Sequence, residues 1–147
     1  MAETLGMLCD KLTIVKLKQY HSEDVEKLKS LEQQAVLLQN EIDEYFTEAL
    51  SGNIPVDKLT FAANKVFKKD GNNITTISGK IGTVISQLAD INCLLWHEQE
   101  KVYEFEKVPA EDKDKVVKKL ALLNLERNQC IDSINTQFQD IVLNNKK

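Results

Sequence analysis

Proline and glycine are scarce in this sequence, two and five among 147 residues, and they are gathered into a few short stretches. Such a chain builds long uninterrupted elements, and its few breakers mark where those elements stop. No apolar run approaches the roughly 20 residues of a membrane-spanning helix. Met1-Ala2-Glu3-Thr4 has no basic segment followed by an apolar one, so no signal peptide is expected and the chain reads as cytoplasmic. No run of five like charges occurs, and the net charge is −4. The lysine cluster at Lys113, Lys115, Lys118 and Lys119 is interleaved with Glu111, Asp112 and Asp114, the pattern of a solvated helix face. Nucleic-acid binding, which normally needs a basic footprint, is not expected.

Reactive groups are equally few. Three cysteines (Cys9, Cys93 and Cys130) form no Cys-x-x-Cys pair and are odd in number, which fits small reduced core residues. Cys93 and His97 are spaced to share one metal on a helix, but a zinc site needs three or four ligands. The other soft candidates, Cys9, Cys130 and His21, are scattered along the chain. Paired Glu-x-x-His motifs of a di-iron bundle and a glycine-rich phosphate loop are missing, and two histidines leave little scope for a nucleophilic triad. No catalytic residue, metal or cofactor is assigned on this basis.

What is present is helical periodicity. The composition, 42% hydrophobic and 29% charged, is that of an ordinary folded protein. A chain of this length buries roughly 70% of its unfolded surface without needing a metal or disulfide, and reads as one domain, 1–147. A first helix is predicted over about 3–20, with Leu5, Leu8, Leu12 and Val15 on one stripe. Ser22-Glu23-Asp24 reads as an N-cap with two acids in the first turn of a second helix, which runs to about Leu50 with Leu28, Leu31, Ala35, Leu38, Ile42, Tyr45 and Ala49 on its face. Gly52 fits a left-handed cap, and Pro55 opens a shorter third helix, about 55–69. After the turn signal Asp70-Gly71-Asn72-Asn73, a fourth helix is expected over about 75–105. Val108-Pro109 separates it from a fifth that ends near Leu143. No alternating strand pattern and no internal repeat is found. The fold class predicted is therefore all-α, an antiparallel bundle of four to five helices in which the second, fourth and fifth are long.

The fourth helix carries two faces. Ile74, Ile77, Ile81, Val84, Leu88, Ile91, Leu95, Glu98, Val102 and Phe105 keep a coiled-coil-like heptad seam whose one charged member is Glu98. The short break at Val108-Pro109 makes helices four and five antiparallel neighbours, and register places Glu98 near Lys119 and Asp90 near Arg127. The second face, Ile85, Ala89, Asn92, Trp96, Gln99 and Tyr103, begins apolar and carries a hydrogen-bonding group at every position from Asn92 onward. Helix five continues the theme with Asn124, Arg127 and Asn135, and helix one with Asp10, Lys11, Lys18 and His21. Unpartnered buried polar groups cost about 1–3 kcal/mol each. Groups carried towards one another by several helices therefore share a closed network that fixes register, or line a pocket.

The run Asp10-Lys11-Leu12-Thr13-Ile14-Val15-Lys16-Leu17-Lys18 resembles the opening motif of an uncharacterised bacterial family of small helical proteins, typically Asp-Lys-Ile-Thr-Ile-Leu-Glu-Ile-Lys. Leu95-Trp96-His97 and Asn124-Leu125-Glu126-Arg127, with Ile134-Asn135 beyond, are similar to further motifs of that family. The resemblance touches helices one, four and five. Where the family has an acid three residues after the tryptophan and an arginine seven after it, this chain has Gln99 and Tyr103. Family members are often encoded near envelope-polysaccharide genes, which implies sugar or nucleotide-sugar chemistry. Gln87-Leu88-Ala89-Asp90 is similar to the acidic helix of all-α nucleotide pyrophosphatases, but helix three lacks their clustered Glu-x-x-Glu.

Three function classes follow. The first is a non-catalytic helical interaction or assembly protein, self-associating or taking a protein partner through its long seams. The second is a binding module for a small anionic or sugar- or nucleotide-like ligand between helices one, four and five, held by Asp10, Lys11, Lys18, Asn92, Trp96, Gln99, Tyr103, Asn124 and Arg127. The third, an enzyme using acids near Trp96, has the least behind it.

Overall fold

The computed structural model describes residues 3–61 and 77–145. It is all-α, with four α-helices and two single 3₁₀ turns and no strand among the described residues. Helix α1 spans Leu5–His21, α2 Val25–Leu50, α3 Ile81–Tyr103 and α4 Ala110–Asn145, with 3₁₀ turns at Val56–Lys58 and Phe105–Lys107. None of these helices is long and apolar enough to cross a membrane.

The helix ends follow local chemistry. Thr4 caps α1, its hydroxyl accepting from the Met7 amide, and Asp24 caps α2, its carboxylate accepting from the amides of Glu26 and Lys27. At the other end of α2, Gly52 takes φ 86°, a left-handed value that glycine adopts without a Cβ clash. The Gly52 and Asn53 amides then donate to the carbonyls of Ala49 and Glu48, a Schellman closure.

Two boundaries differ from the sequence expectation. The third helix expected over 55–69 begins as a single 3₁₀ turn at Val56–Lys58. Leu59, 1% exposed, then anchors the chain in the core, Thr60 and Phe61 are not helical, and 62–69 lie outside the described residues. The helix expected from about 75 starts at Ile81. Residues 75–76 lie outside the described set, and Gly79 at φ 112° interrupts helical geometry before Ile81. Ile77, not helical, still packs against the core.

Helices α3 and α4 lie side by side in opposite directions, since Glu98 meets Lys119 near one end and the Gly79 carbonyl accepts from Gln137 near the other. Their seam supplies Val84, Leu88, Ile91, Leu123, Ile134 and Phe138 to one core, which also takes Leu5 and Leu8 of α1 and Tyr45 and Ala49 of α2. Each such side chain, fully buried, contributes about 1.5–3 kcal/mol. A smaller cluster of Val15, Leu31 and Ala35 joins α1 to α2. The Tyr45 hydroxyl is buried and makes no well-formed hydrogen bond among the described residues. Burial pushes this phenol above its ordinary value, and the nearby Leu5 backbone amide draws it only part of the way back.

The tightest approach in the fold is at Gly6. A Cβ there would stand 2.5 Å from the Ile131 carbonyl oxygen and 2.9 Å from Asn135 Oδ1. The absent side chain lets α1 lie against the α4 backbone, and the Gly6 amide donates to Asn135 Oδ1 at 2.7 Å. That amide belongs to the first turn of α1, where no intrahelical acceptor exists. In an open helix Gly→Ala stabilises by about 1 kcal/mol. Gly6→Ala is expected to do the opposite, lowering stability in urea unfolding by about 1–3 kcal/mol through overpacking. An unchanged or raised midpoint would refute the close approach.

Candidate functional site

The polar residues of α1, α3 and α4 meet at Asp10. This aspartate is 4% exposed, and an unpaired carboxylate there would be costly. Arg127 answers it with two parallel hydrogen bonds, Nε to Oδ1 at 2.9 Å and Nη2 to Oδ2 at 2.6 Å, the fork geometry that guanidinium offers a carboxylate. Asn92 Nδ2 donates to Asp10 Oδ1 at 3.0 Å and to Thr13 Oγ1 at 2.8 Å, and the Thr13 hydroxyl donates to the Asp10 carbonyl at 2.8 Å. The hydrogen bonds to Asp10 push the guanidinium pKa up, outweighing the downward pull of its partial burial. This is a closed arrangement that ties three helices together at one point. Arg127 does not pair with Asp90, which is exposed.

The other expected ion pair does form. Glu98, 4% exposed on the seam, accepts from Lys101 at 3.0 Å and meets Lys119 at 3.2 Å. Burial alone would raise its pKa, but the hydrogen bonds and charges of the two lysines hold it below the ordinary carboxylate value.

One helical turn beyond Asn92, Trp96 stacks face to face on His21, the last residue of α1, with ring centroids 4.7 Å apart and planes 8° apart. Its indole N–H donates to Glu100 at 3.0 Å. Beyond this stack no described helix covers the second face of α3, and Gln99 is exposed and Tyr103 79% exposed. Lys11 is exposed and paired with Glu3, and Asn124 is exposed on α4. The nine expected site residues therefore separate. Asp10, Asn92 and Arg127 are joined in the network, Trp96 and Lys18 line a neighbouring groove, and Lys11, Gln99, Tyr103 and Asn124 point to solvent.

That neighbouring groove, about 380 Å³, lies at the turn between α1 and α2 and is lined by Lys18, His21, Ser22, Lys27, Ser30, Leu31, Gln34 and Trp96. The contribution of α2 is what sequence reasoning missed. A signal was available in Lys27, Ser30 and Gln34, one polar row at helical spacing near the start of α2. A second groove, about 760 Å³, opens between α1 and α3 and is lined mainly by apolar groups of Leu12, Leu17, Tyr20, Ala89 and Cys93, with Lys16 and His97 at its edge. His21 belongs to both grooves.

Searched against known protein families, curated proteins and solved structures, the chain has no match.

The two grooves share an electrostatic peculiarity. Among the described residues no aspartate or glutamate lines either one, although Lys18 and Gln34 also border a neighbouring groove that carries Glu3 and Glu41; Glu98, Glu104 and Asp112 line the groove at the α3–α4 turn, and Glu3, Glu44 and Glu48 a further one. Lys18 and Lys27 form no salt bridge among the described residues, as is also true of Lys16, Lys58, Lys80, Lys113 and Lys118, while Lys11, Lys29, Lys101, Lys107, Lys115 and Lys119 do. Cys93 and His97 line the apolar groove, but no cluster of three or more His, Cys, Asp or Glu suited to a metal occurs among the described residues. Cys93 is exposed, whereas burial, with Asp10 and for Cys130 also Glu126 adding to it, pushes the Cys9 and Cys130 thiols up to about 11.

Removing one member of the buried pair tests whether the network is structural. Arg127→Ala leaves Asp10 buried without its counter-charge and is expected to cost about 3–5 kcal/mol in chemical denaturation, near the lower bound because Arg127 is partly exposed. Arg127→Lys keeps the charge, loses the fork, and should recover only part of that loss. Full stability in Arg127→Ala would show that the pair does not hold the helices.

Proposed function

We propose that this chain, built as an antiparallel bundle of four to five helices, is a non-catalytic binding module for a small anionic ligand. The ligand sits at the turn between α1 and α2 beside the His21–Trp96 stack. The observation that carries the reading is a pair of lysines, Lys18 and Lys27, that form no salt bridge among the described residues and line a groove whose described lining holds no acid, within a chain of net charge −4. The Ser22 hydroxyl offers a further donor, as does the Ser30 hydroxyl, which itself accepts from the Gln34 amide at 3.3 Å, and Trp96 offers apolar ring surface against which a planar or sugar-like body can rest. The ligand-binding role considered for Arg127, Asp10 and Asn92 is less well supported, because their hydrogen-bonding groups are already engaged with one another. The motifs shared with the helical family of unknown function fall on both parts, Asp10-Lys11 and Asn124-x-x-Arg127 at the network and Trp96-His97 at the groove. They support the reading only through that family's association with nucleotide-sugar chemistry.

The expected outcome is a rise in melting temperature with nucleotides or nucleotide-sugars that weakens as salt is added. The rise should be lost in Lys18→Gln/Lys27→Gln, whose own melting temperature stays close to the parent's because both lysines are exposed. Unchanged melting across nucleotides, sugar phosphates and inorganic phosphate would overturn the proposal.

Self-association is the second reading, favoured by Leu37, Tyr103 and Val117, which are more than half exposed on three different helices. Light scattering from micromolar to millimolar protein should then give a mass rising with concentration. A constant monomer mass would eliminate it.

A further inference from the structure

We infer that the ligand is an amphiphile: its anionic head lies among Lys18, Lys27 and the serine hydroxyls, and its alkyl chain runs past His21 into the apolar groove between α1 and α3. The inference rests on the reading above and extends it to a second groove.

The two grooves differ in chemistry and meet at one side chain. The groove at the α1–α2 turn is polar and cationic. The α1–α3 groove is bounded by two rows of side chains, Leu12, Lys16 and Tyr20 from α1 and Ala89, Cys93 and His97 from α3. Each row repeats every four residues, so each forms a ridge on its helix and the two flank a groove whose floor also takes Thr13 and Leu17. Eight residues of helix rise about 12 Å, which sets its length. Tyr20, 85% exposed, stands along this channel. Its ring is therefore free to close over a chain laid in the groove.

His21 joins the channel to the cationic groove. Its ring is held against Trp96 and edge-on to Tyr20, with centroids 5.2 Å apart, so the junction is built of aromatic faces. A chain crossing it stays in contact with apolar surface throughout. Among the described residues no carboxylate is part of the lining of either groove; the carboxylate beside them is Glu100, which accepts from the Trp96 indole and stands 3.9 Å from His97 Nδ1. A cationic head group would meet Lys18 and Lys27 in the first groove. The volumes, about 760 and 380 Å³, lie within the range of small-molecule sites.

The whole chain carries two reporters at the places that matter. Trp96 is its one tryptophan and lines the head-group groove, and Cys93 is an exposed cysteine in the channel. The experiment titrates reduced protein with octanoate, decanoate and dodecanoate, with decyl phosphate, and with decyltrimethylammonium, all below their micelle concentrations. Trp96 fluorescence and the rate at which a thiol reagent modifies Cys93 are followed together. The expected result is that the alkyl anions change Trp96 emission and slow Cys93 modification at least tenfold at saturation, with affinity rising roughly three- to fourfold per added methylene. Decyltrimethylammonium should bind at least tenfold more weakly. Lys18→Gln/Lys27→Gln should weaken the anions without altering the dependence on chain length, and Tyr20→Ser should flatten that dependence.

Free phosphate or nucleotide that perturbs Trp96 through Lys18 and Lys27, with no gain from an alkyl chain, would overturn the amphiphile and leave the anion-binding reading standing. No response to any anion would overturn both. Cys93 that becomes protected by raising protein concentration alone would assign the channel to a second copy. Co-sedimentation with phosphatidylglycerol vesicles without binding of the soluble amphiphiles would assign it to a membrane surface. Either outcome overturns the inference.

Discussion

The position of α1 rests on one carboxylate that water cannot reach. Asp10 carries its charge into the space between three helices, and only the two-pronged guanidinium of Arg127, steadied by Asn92, meets it there. Hydrophobic burial holds the helices together but is not directional, and α1 could slide along the α3–α4 seam with little loss of contact area. The charged fork permits no such sliding, because a shift by one residue would strand both charges. Gly6 reinforces the same register one turn earlier, where α1 is near enough to α4 for a backbone amide to reach Asn135. The direction in which α1 leaves this fastening decides where His21 ends, and so where Trp96 finds its partner.

Features governed by neighbours in the chain could be read in advance. The left-handed Gly52 and the seam positions from Ile81 to Glu98 depend on residues a few positions apart and are found where the pattern places them. The cap of α2, by contrast, is Asp24 rather than Ser22, its first-turn acid is Glu26, and Ile74 of the expected seam lies outside the described residues. Glu98 and Lys119 could also be paired, because a short turn fixes the register of the two helices that carry them. The partner of Arg127 could not, since 117 positions separate it from Asp10 and nothing in either local pattern ranks Asp10 above Asp90. Nor could the start of α3, because the hydrophobic period continues through Ile77 although the positive φ of Gly79 has already ended the helix.

The candidate site was half legible for a related reason. Asn92, Trp96, Gln99 and Tyr103 form one face of a helix, and a helical face says only which side chains point together. It does not say how far along the helix a neighbour continues. Here the neighbour stops at His21, so Asn92 is buried, Trp96 is half covered and Tyr103 is in water. A single stripe thus passes from structural core to groove to plain surface. The cationic groove stayed hidden because one wall belongs to α2, whose polar row looks like an ordinary solvated face until α1 folds against it.

The early end of α1 has one more consequence. Past Trp96, among the described residues, α3 and α4 pack on each other alone, with Glu98 and its two lysines and the buried Val116 between them. Backbone amides near Tyr103 and the following turn will exchange with solvent through small local openings, while those around Gly6, Asn92 and Asn135 wait for the whole core to open. The molecule thus has a yielding end and a firm end, and the His21–Trp96 stack lies at the border between them. Breathing of the hairpin tip can therefore move one wall of the groove while the fastening at Asp10 stays closed.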